Sequence, residues 1–259
     1  MLKGIDISNW QAGLDPHKLG IDFCICKATE GTNFVDGFCD GFIQDCKNNG
    51  ILWGFYHFAR EWAPEREAQF FYDNCAGYIK HGIPVLDYEV WGQNDDVAWC
   101  EKFLTKFHDL SGVWPMLYIS ASHCADFRGS WIPQKCGLWV AGYPTYTETY
   151  PLTDEYGVPI GGESTRQAQY GKYSQTIEMP YDIAPWSFAA IWQFTSSLKL
   201  EGYNGSLDGD LAYMDKTAWG KYAGAAVSSK SNTTKPTTTK PTANAGKKVL
   251  TGRVTIELD

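Results

Sequence analysis

The sequence predicts an α/β protein built on a closed, mostly parallel barrel, and three observations carry this prediction. Short runs rich in β-branched and aromatic residues alternate with helical patterns through the first half of the chain. About eight strand-like runs occur in all, and the last three lack clear helices between them. Strands that alternate with helices pair in parallel, and eight strands are enough to close a barrel.

Each predicted element rests on a local pattern. A helix is expected at 35–48, where apolar residues recur at helical spacing and Gly50 follows the end of the pattern. A second helix begins at Pro64, which suits a first turn, and a third is expected at 95–110. The predicted strands are residues 2–8, 22–28, 52–58, 83–89, 115–120, 137–141, 189–195 and 206–213.

The composition changes near Ala223 and divides the chain into three parts. Residues 227–245 are mostly Ser, Thr, Asn, Lys and Pro, which is typical of a flexible, semi-extended linker. We predict a barrel at 1–222, a linker at 223–246 and a short β-like C-terminal segment at 247–259. That last segment is too short to bury a core of its own, so it needs a partner.

Composition excludes several classes of function. The formal net charge of −8 argues against nucleic acid as a partner, because phosphates bind basic surfaces. No apolar run reaches the roughly 18 residues of a membrane helix, so no membrane insertion is expected. The first residues lack the pattern of a signal peptide, so synthesis in the cytoplasm is expected.

The cysteines and the missing motifs argue against metals and cofactors. The eight cysteines are scattered without a CxxC pair, which favours buried thiols in a reducing compartment over disulfides or a metal site. No glycine-rich phosphate-binding motif and no GxSxG motif is present, so no cofactor is expected.

Two carboxylates mark the end of the fourth predicted strand. Asp87 and Glu89 are two residues apart, so both point to one face of the strand. The carboxyl end of a parallel barrel strand is the face where active sites form. Two like charges there repel, so one carboxyl group holds its proton more tightly than the other. One protonated and one ionised carboxyl group side by side are the catalytic groups that a glycosidase uses. Flanking aromatic residues favour Glu89 as the protonated group. An isolated D-x-E is more often an ordinary solvated strand end.

Residues on other strands favour a functional site over an ordinary strand end. Asp6 ends the first strand and Asp208 lies in the last, and closure of a barrel makes those strands neighbours. A mouth lined by acids and aromatic rings favours a sugar chain as ligand. His57 lies in an aromatic strand and is interpreted as a hydrogen-bonded structural residue, while Lys27 and Glu30 are expected to shape the mouth. The further candidate ligand-binding residues at strand ends are Tyr56, Tyr118, Trp139 and Gln193.

Seven segments in one order resemble glycoside hydrolase family 25, the fungal, bacterial and phage muramidases of the Chalaropsis type. The resemblance covers about residues 1–215. It implies a modified TIM-like (βα)5(β)3 barrel that cleaves the β-1,4 bond between N-acetylmuramic acid and N-acetylglucosamine in peptidoglycan. The segments are residues 4–11 (GIDISNWQ), 27–32 (KATEGT), 54–58 (GFYHF), 87–89 (DYE), 138–143 (LWVAGY), 191–195 (IWQFT) and 207–208 (LD).

The resemblance also implies roles for individual residues. Glu89 takes the general-acid position and Asp87 that of the second carboxylate, while Asp6 and Asp208 take the other acidic positions of the cleft. The candidates Tyr56, Tyr118, Trp139 and Gln193 match substrate-contacting positions. Two features depart from the family pattern: the stretch 144–185 is long, and Asp210 stands where an Asn is common.

Two catalytic routes stay open at this point. Asp87 attacks the anomeric carbon as a nucleophile, or it stabilises the substrate's own 2-acetamido group as that group attacks. The D-x-E spacing resembles that of other substrate-assisted families and favours the second route. The alternative functions are a glycan-binding module without catalysis and an N-acetylglucosaminidase.

The biological setting is also predicted. The missing signal peptide, the scattered cysteines and the linker with its C-terminal segment together indicate a phage endolysin that acts on the cell wall after release from the host cytoplasm. The C-terminal segment is interpreted as a wall-binding element or as a site of self-association.

Overall fold

The computed structural model describes residues 1–60, 62–92, 95–143 and 179–225. They lie within one compact unit, Met1–Val227. Most of the long stretch 144–185, nearly all of the predicted linker and the whole C-terminal segment lie outside the described residues. The division at 222 and 246 therefore stays a prediction.

Nine strands and five α-helices are found in the described residues. The strands are β1 (Leu2–Ile7), β2 (Phe23–Glu30), β3 (Phe34–Val35), β4 (Leu52–Phe58), β5 (Ile83–Asp87), β6 (Met116–Ser120), β7 (Leu138–Ala141), β8 (Ile191–Leu198) and β9 (Leu207–Ala212). The helices are α1 (Cys39–Asn49), α2 (Pro64–Cys75), α3 (Asp96–Ser111), α4 (Ile132–Lys135) and α5 (Lys216–Tyr222).

Eight of the strands close a barrel, which confirms the predicted fold. Their order is β1-β9-β8-β7-β6-β5-β4-β2, and β1 pairs with β2 to complete the circle. All neighbours are parallel except β9, which runs antiparallel to both β8 and β1. The short β3 pairs with β2 outside the circle. The antiparallel β9 is the departure from a regular parallel barrel.

The first helix begins later than its sequence pattern predicts. Val35 was expected in the helix, but it pairs with Thr29 in the β2–β3 hairpin. The side chain of Asp36 then accepts a hydrogen bond from the backbone N–H of Phe38, which forms a turn before α1. The helical spacing of Val35 and Phe38 was therefore misleading. The predicted end is correct, since Gly50 ends α1 with a φ of 71°.

The barrel interior is apolar at one end and polar at the other. Side chains near the strand starts, such as Phe23, Ile83 and Met116, are fully buried. Later inward positions on the same strands carry polar groups such as Asp87 and Tyr118. Because parallel strands end at one edge, these polar groups gather at the carboxyl-terminal mouth.

We expect Gly54→Ala to destabilise the barrel, because a Cβ at this position would lie 2.9 Å from the backbone oxygen of Ile83 on the adjacent strand. Overpacking of this kind costs about 1–3 kcal/mol. Gly41→Ala in α1 is the control: a Cβ there meets no atom within 4 Å, and the change should stabilise by about 0.5–1 kcal/mol. Urea unfolding of both variants measures the difference, and equal effects would contradict the close strand contact.

Candidate active site

The barrel mouth contains a cavity of about 330 Å³ that brings together all eight site residues predicted from the sequence. Seven of them lie on strands that run parallel to a neighbour or, for Glu89, just beyond the end of such a strand. Asp208 belongs instead to β9, and it reaches the mouth because β9 is antiparallel and begins there. The eight residues are Asp6, Tyr56, Asp87, Glu89, Tyr118, Trp139, Gln193 and Asp208.

Closure of the barrel sets Asp6 against Asp208. The two residues are direct cross-strand partners in the antiparallel β1–β9 pair. Burial raises the pKa of Asp6 well above its ordinary value, and the charges of Asp208 and Asp210 raise it further. Burial and the charge of Glu89 raise the pKa of Asp208 to about 6. Both carboxyl groups therefore hold their protons to higher pH than exposed carboxyl groups do.

Asp87 and Glu89 differ in depth. Asp87 ends β5 and is only 7% exposed, whereas Glu89 lies beyond the strand end and is exposed. Burial, followed by the charge of Glu89, raises the pKa of Asp87 well above its ordinary value. The pKa of Glu89 is raised too, mainly because neighbouring protein atoms displace part of its water. Without ligand, the deeper Asp87 is therefore the better proton holder, contrary to the expectation that burial would favour Glu89.

One oxygen of Asp87 lacks a hydrogen-bond partner among the described residues. Its Oδ1 atom is buried and has no hydrogen-bond partner within the part of the chain that the structure describes. A buried polar atom without a partner is costly unless something else satisfies it. Since the side chain lines the cavity, a donor group of a bound molecule can supply that hydrogen bond.

Gln193 connects several groups in the cleft floor. Its Nε2 donates to Oδ2 of Asp6 at 2.7 Å. Its Oε1 accepts from the hydroxyl of Tyr118 at 2.8 Å and from that of Tyr143 at 2.7 Å. Burial raises the pKa of Tyr118 well above its ordinary value, so this phenol stays neutral and able to donate. The amide therefore fixes three neighbouring side chains at once.

Asp210 is a member of this cluster that sequence reasoning did not place in the site. It is fully buried, and its Oδ1 accepts a hydrogen bond from the indole Nε1 of Trp139 at 2.8 Å. Burial raises its pKa to about 8. Its position two residues after Asp208 puts it on the same inward face of β9. The two-residue spacing from Asp208 could therefore have placed Asp210 in the site. From the sequence, this residue stood out only as a departure from the family's Asn.

Lys27 has an electrostatic role that the sequence did not reveal. It is the one cation among the described residues that line the cavity, and its charge lowers the pKa of both Asp87 and Glu89. Its ammonium group contacts Glu30 and lies 4.6 Å from the centre of the Phe58 ring. These contacts hold a positive charge beside the acidic pair.

His57 lies outside the cavity, as the structural interpretation expected. It is fully buried between the barrel and α2. Its Nε2 lies 2.9 Å from Oε2 of Glu67, and its Nδ1 lies 2.8 Å from the Thr29 hydroxyl. Burial lowers its pKa, which favours the neutral ring. Glu67 also accepts the backbone N–H groups of Arg60 and Trp62, so the pair supports the loop after β4.

Comparison with known proteins identifies the family. The family model described as Glycosyl hydrolases family 25 matches residues 5–203. The chain belongs to this family. Its acidic barrel mouth is thus the mouth of a glycoside hydrolase.

Relatives of this family 25 hydrolase include named lysozymes and muramidases. Lysozyme M1 of Streptomyces globisporus is 30% identical over 214 residues, which cover 71% of this chain and 72% of the relative. The N,O-diacetylmuramidase of Chalaropsis is 25% identical over 239 residues, covering 85% of this chain and all (100%) of the relative. The solved family 25 lysozyme of Aspergillus fumigatus superposes with a TM-score of 0.61 at 26% identity, covering 86% of this chain and 98% of that one.

Two other kinds of site are absent from the described residues. None of the helices there is long and apolar enough to cross a membrane. Nor do three His, Cys, Asp or Glu side chains come together there in a way that could hold a metal ion.

We expect Asp210→Asn to stabilise the protein increasingly as pH rises. The folded state holds the Asp210 proton up to about pH 8, against an ordinary pKa of 3.8, so wild type loses stability as pH rises between these values. Asparagine cannot ionise, and it can still accept from Trp139. Thermal unfolding should show a Tm advantage of a few degrees that grows from about pH 4 to about pH 8. Asp109→Asn is the control, since that side chain is 70% exposed. A Tm difference independent of pH would contradict the buried acid.

We expect Lys27→Met to move the pH profile of hydrolysis upward. Lys27 stabilises the ionised forms of Asp87 and Glu89, so its loss should let both keep their protons to higher pH. Both limbs of kcat/KM against pH should shift to higher pH. Lys18→Met, which removes an exposed lysine paired with Asp15, is the control. An unchanged profile for Lys27→Met would refute the electrostatic role.

Proposed function

We propose that this chain is a peptidoglycan muramidase that hydrolyses the β-1,4 bond between N-acetylmuramic acid and N-acetylglucosamine. The observation that carries the proposal is the carboxylate pair Asp87–Glu89 at the mouth of a family 25 barrel, flanked by Asp6 and Asp208. The names of the relatives support it, since one is a lysozyme and another an N,O-diacetylmuramidase. Bacterial cell-wall glycan strands are then the macromolecule it acts on.

Glu89 is the general acid in this proposal. Its exposed position beyond the end of β5 suits proton donation to the oxygen of the leaving sugar. Before substrate binds, burial keeps the proton of the pair on Asp87. A substrate N–H group that donates to the unpartnered Oδ1 of Asp87 would favour the ionised form of that residue. The proton then passes to Glu89, and binding prepares the acid.

The same geometry favours the substrate-assisted route. The 2-acetamido group of the sugar carries an N–H, and Asp87 is placed to accept it as positive charge develops on that group during attack. The alternative, a covalent ester of Asp87 with the sugar, predicts a trapped adduct that mass spectrometry detects.

We expect Glu89→Gln to lose roughly 10²–10⁴-fold in kcat, because it removes the proton donor. Asp87→Asn should also lose most activity, since an amide cannot balance positive charge. The measurement is the release of reducing ends from purified peptidoglycan. Glu65→Gln, a change on the exposed face of α2, is the matched control and should keep full activity. Wild-type rates in Glu89→Gln would refute the assignment.

The products separate the alternative functions. Reduction followed by mass spectrometry identifies the sugar at the new reducing end. N-acetylmuramic acid there supports a muramidase, whereas N-acetylglucosamine indicates an N-acetylglucosaminidase. Binding to cell walls without any release of reducing ends would indicate a glycan-binding module.

The cysteines support a proposal on where the chain folds. All eight are free and buried, as the sequence predicted. Burial raises the pKa of thiols such as Cys24 and Cys136, which keeps them unreactive. Reduced thiols favour folding in a reducing cytosol before action at the wall, as a phage endolysin would do. We also propose that residues 247–259 bind the wall or drive self-association, which sedimentation of the chain with and without residues 246–259 would test.

A further inference from the structure

Trp10 is an exposed aromatic residue at the edge of the cavity. It follows β1 and has 84% of its surface exposed, yet it is one of the residues that line the cleft. Tryptophan is highly buried on average, because its large apolar surface favours removal from water. Its position at the edge of the cavity puts the indole where a ligand that extends past the cavity would cover it.

The backbone beneath Trp10 is fixed from two sides. Ser8 and Gln11 form a capping box, in which the Ser8 hydroxyl accepts the backbone N–H of Trp10 at 3.3 Å. The neighbouring N–H of Asn9 donates to Oδ2 of Asp36 at 2.7 Å. A ligand that meets a support already ordered loses less entropy on binding.

Asp36 ties two loops together beneath this support. It is only 3% exposed, and its second oxygen accepts the backbone N–H of Phe38 at 2.9 Å. One carboxylate thus joins the turn after β1 to the segment between β3 and α1. The position of Trp10 depends on a residue that does not itself line the cleft.

Further apolar surface lies on the hairpin that Asp36 follows. Phe34 is 38% exposed and Val35 is 51% exposed. The ammonium group of Lys27, which lines the cleft, lies 5.6 Å from the Phe34 ring. Exposed apolar surface of the hairpin therefore lies beside Lys27, a residue of the cleft. Pyranose rings have C–H faces that pack against aromatic faces, and their hydroxyl edges stay in water.

We propose that Trp10 is a sugar-stacking platform that extends the cleft beyond the rings at the cleaved bond, and that Asp36 positions it. This inference rests on the proposed muramidase function and names a contact for the same glycan. A strand that leaves the cavity on the β1 side passes over the indole. Trp10 therefore adds affinity for long strands and little for short ones.

Calorimetry with peptide-free glycan strands of two and six sugars tests the platform in the Glu89→Gln background. Trp10→Ala should weaken binding of the six-sugar strand roughly three- to tenfold, the range expected for one aromatic packing contact, and leave the two-sugar strand unchanged. Trp62→Ala is the matched control, because Trp62 is 53% exposed but does not line the cavity. It should change neither affinity.

Asp36→Asn tests the positioning role, since the amide keeps one acceptor oxygen and loses the other. It should weaken binding of the six-sugar strand in the presence of Trp10 and have no further effect in Trp10→Ala. In the otherwise wild-type enzyme, KM for long strands should rise while kcat stays constant. An equal loss in both backgrounds, or a fall in kcat alone, would show that Asp36 only supports the fold.

The outcomes separate this inference from the function on which it rests. If neither strand binds the Glu89→Gln protein, the proposed function itself fails. If both strands bind and Trp10→Ala changes neither affinity, only the platform is refuted. Equal weakening of both strands would place Trp10 at the cleaved bond and refute the extension.

Discussion

The pairing of β1 with both β2 and β9 is the constraint on which the site depends. Without the β1–β9 pairing the sheet would stay open, and Asp6 and Asp208 would lie on opposite edges. With it the two residues become direct cross-strand partners. The reversed direction of β9 matters equally. In a parallel strand, a residue so near the beginning would lie at the far end of the barrel, away from Asp87.

Closure also concentrates acids where water is scarce. Asp6, Asp87, Asp208 and Asp210 all have raised pKa values, and burial is the largest cause in each case. Burying so many carboxyl groups costs stability unless they keep protons or find donors. Trp139 and Gln193 supply donors, and Lys27 supplies positive charge. Several carboxyl groups at the mouth can therefore hold and donate protons, which suits acid catalysis.

The strands and the acidic mouth were readable from the sequence because both follow local rules. Period-two alternation marks strands, and polar residues at their carboxyl ends mark the mouth. The relative depth of Asp87 and Glu89 was not readable, because it depends on where β5 ends. The partner of Asp210 was equally hidden, since Trp139 is 71 residues away in the chain. Local spacing also misled at Val35, where pairing with Thr29 overrode a helical pattern.

The orientation of Gln193 determines which substrate groups the cleft floor can bind. Its carbonyl oxygen accepts hydrogen bonds from the hydroxyl groups of both Tyr118 and Tyr143. Each phenol oxygen then has only lone pairs left for another partner. This part of the floor presents acceptors, although tyrosine and glutamine can each also donate. This part of the floor therefore favours sugar groups that donate hydrogen bonds, such as hydroxyls and amide N–H groups. It disfavours groups that only accept them, such as carbonyl and carboxylate oxygens. A single side-chain amide, by the way it is turned, sets the polarity of a surface to which two distant tyrosines contribute.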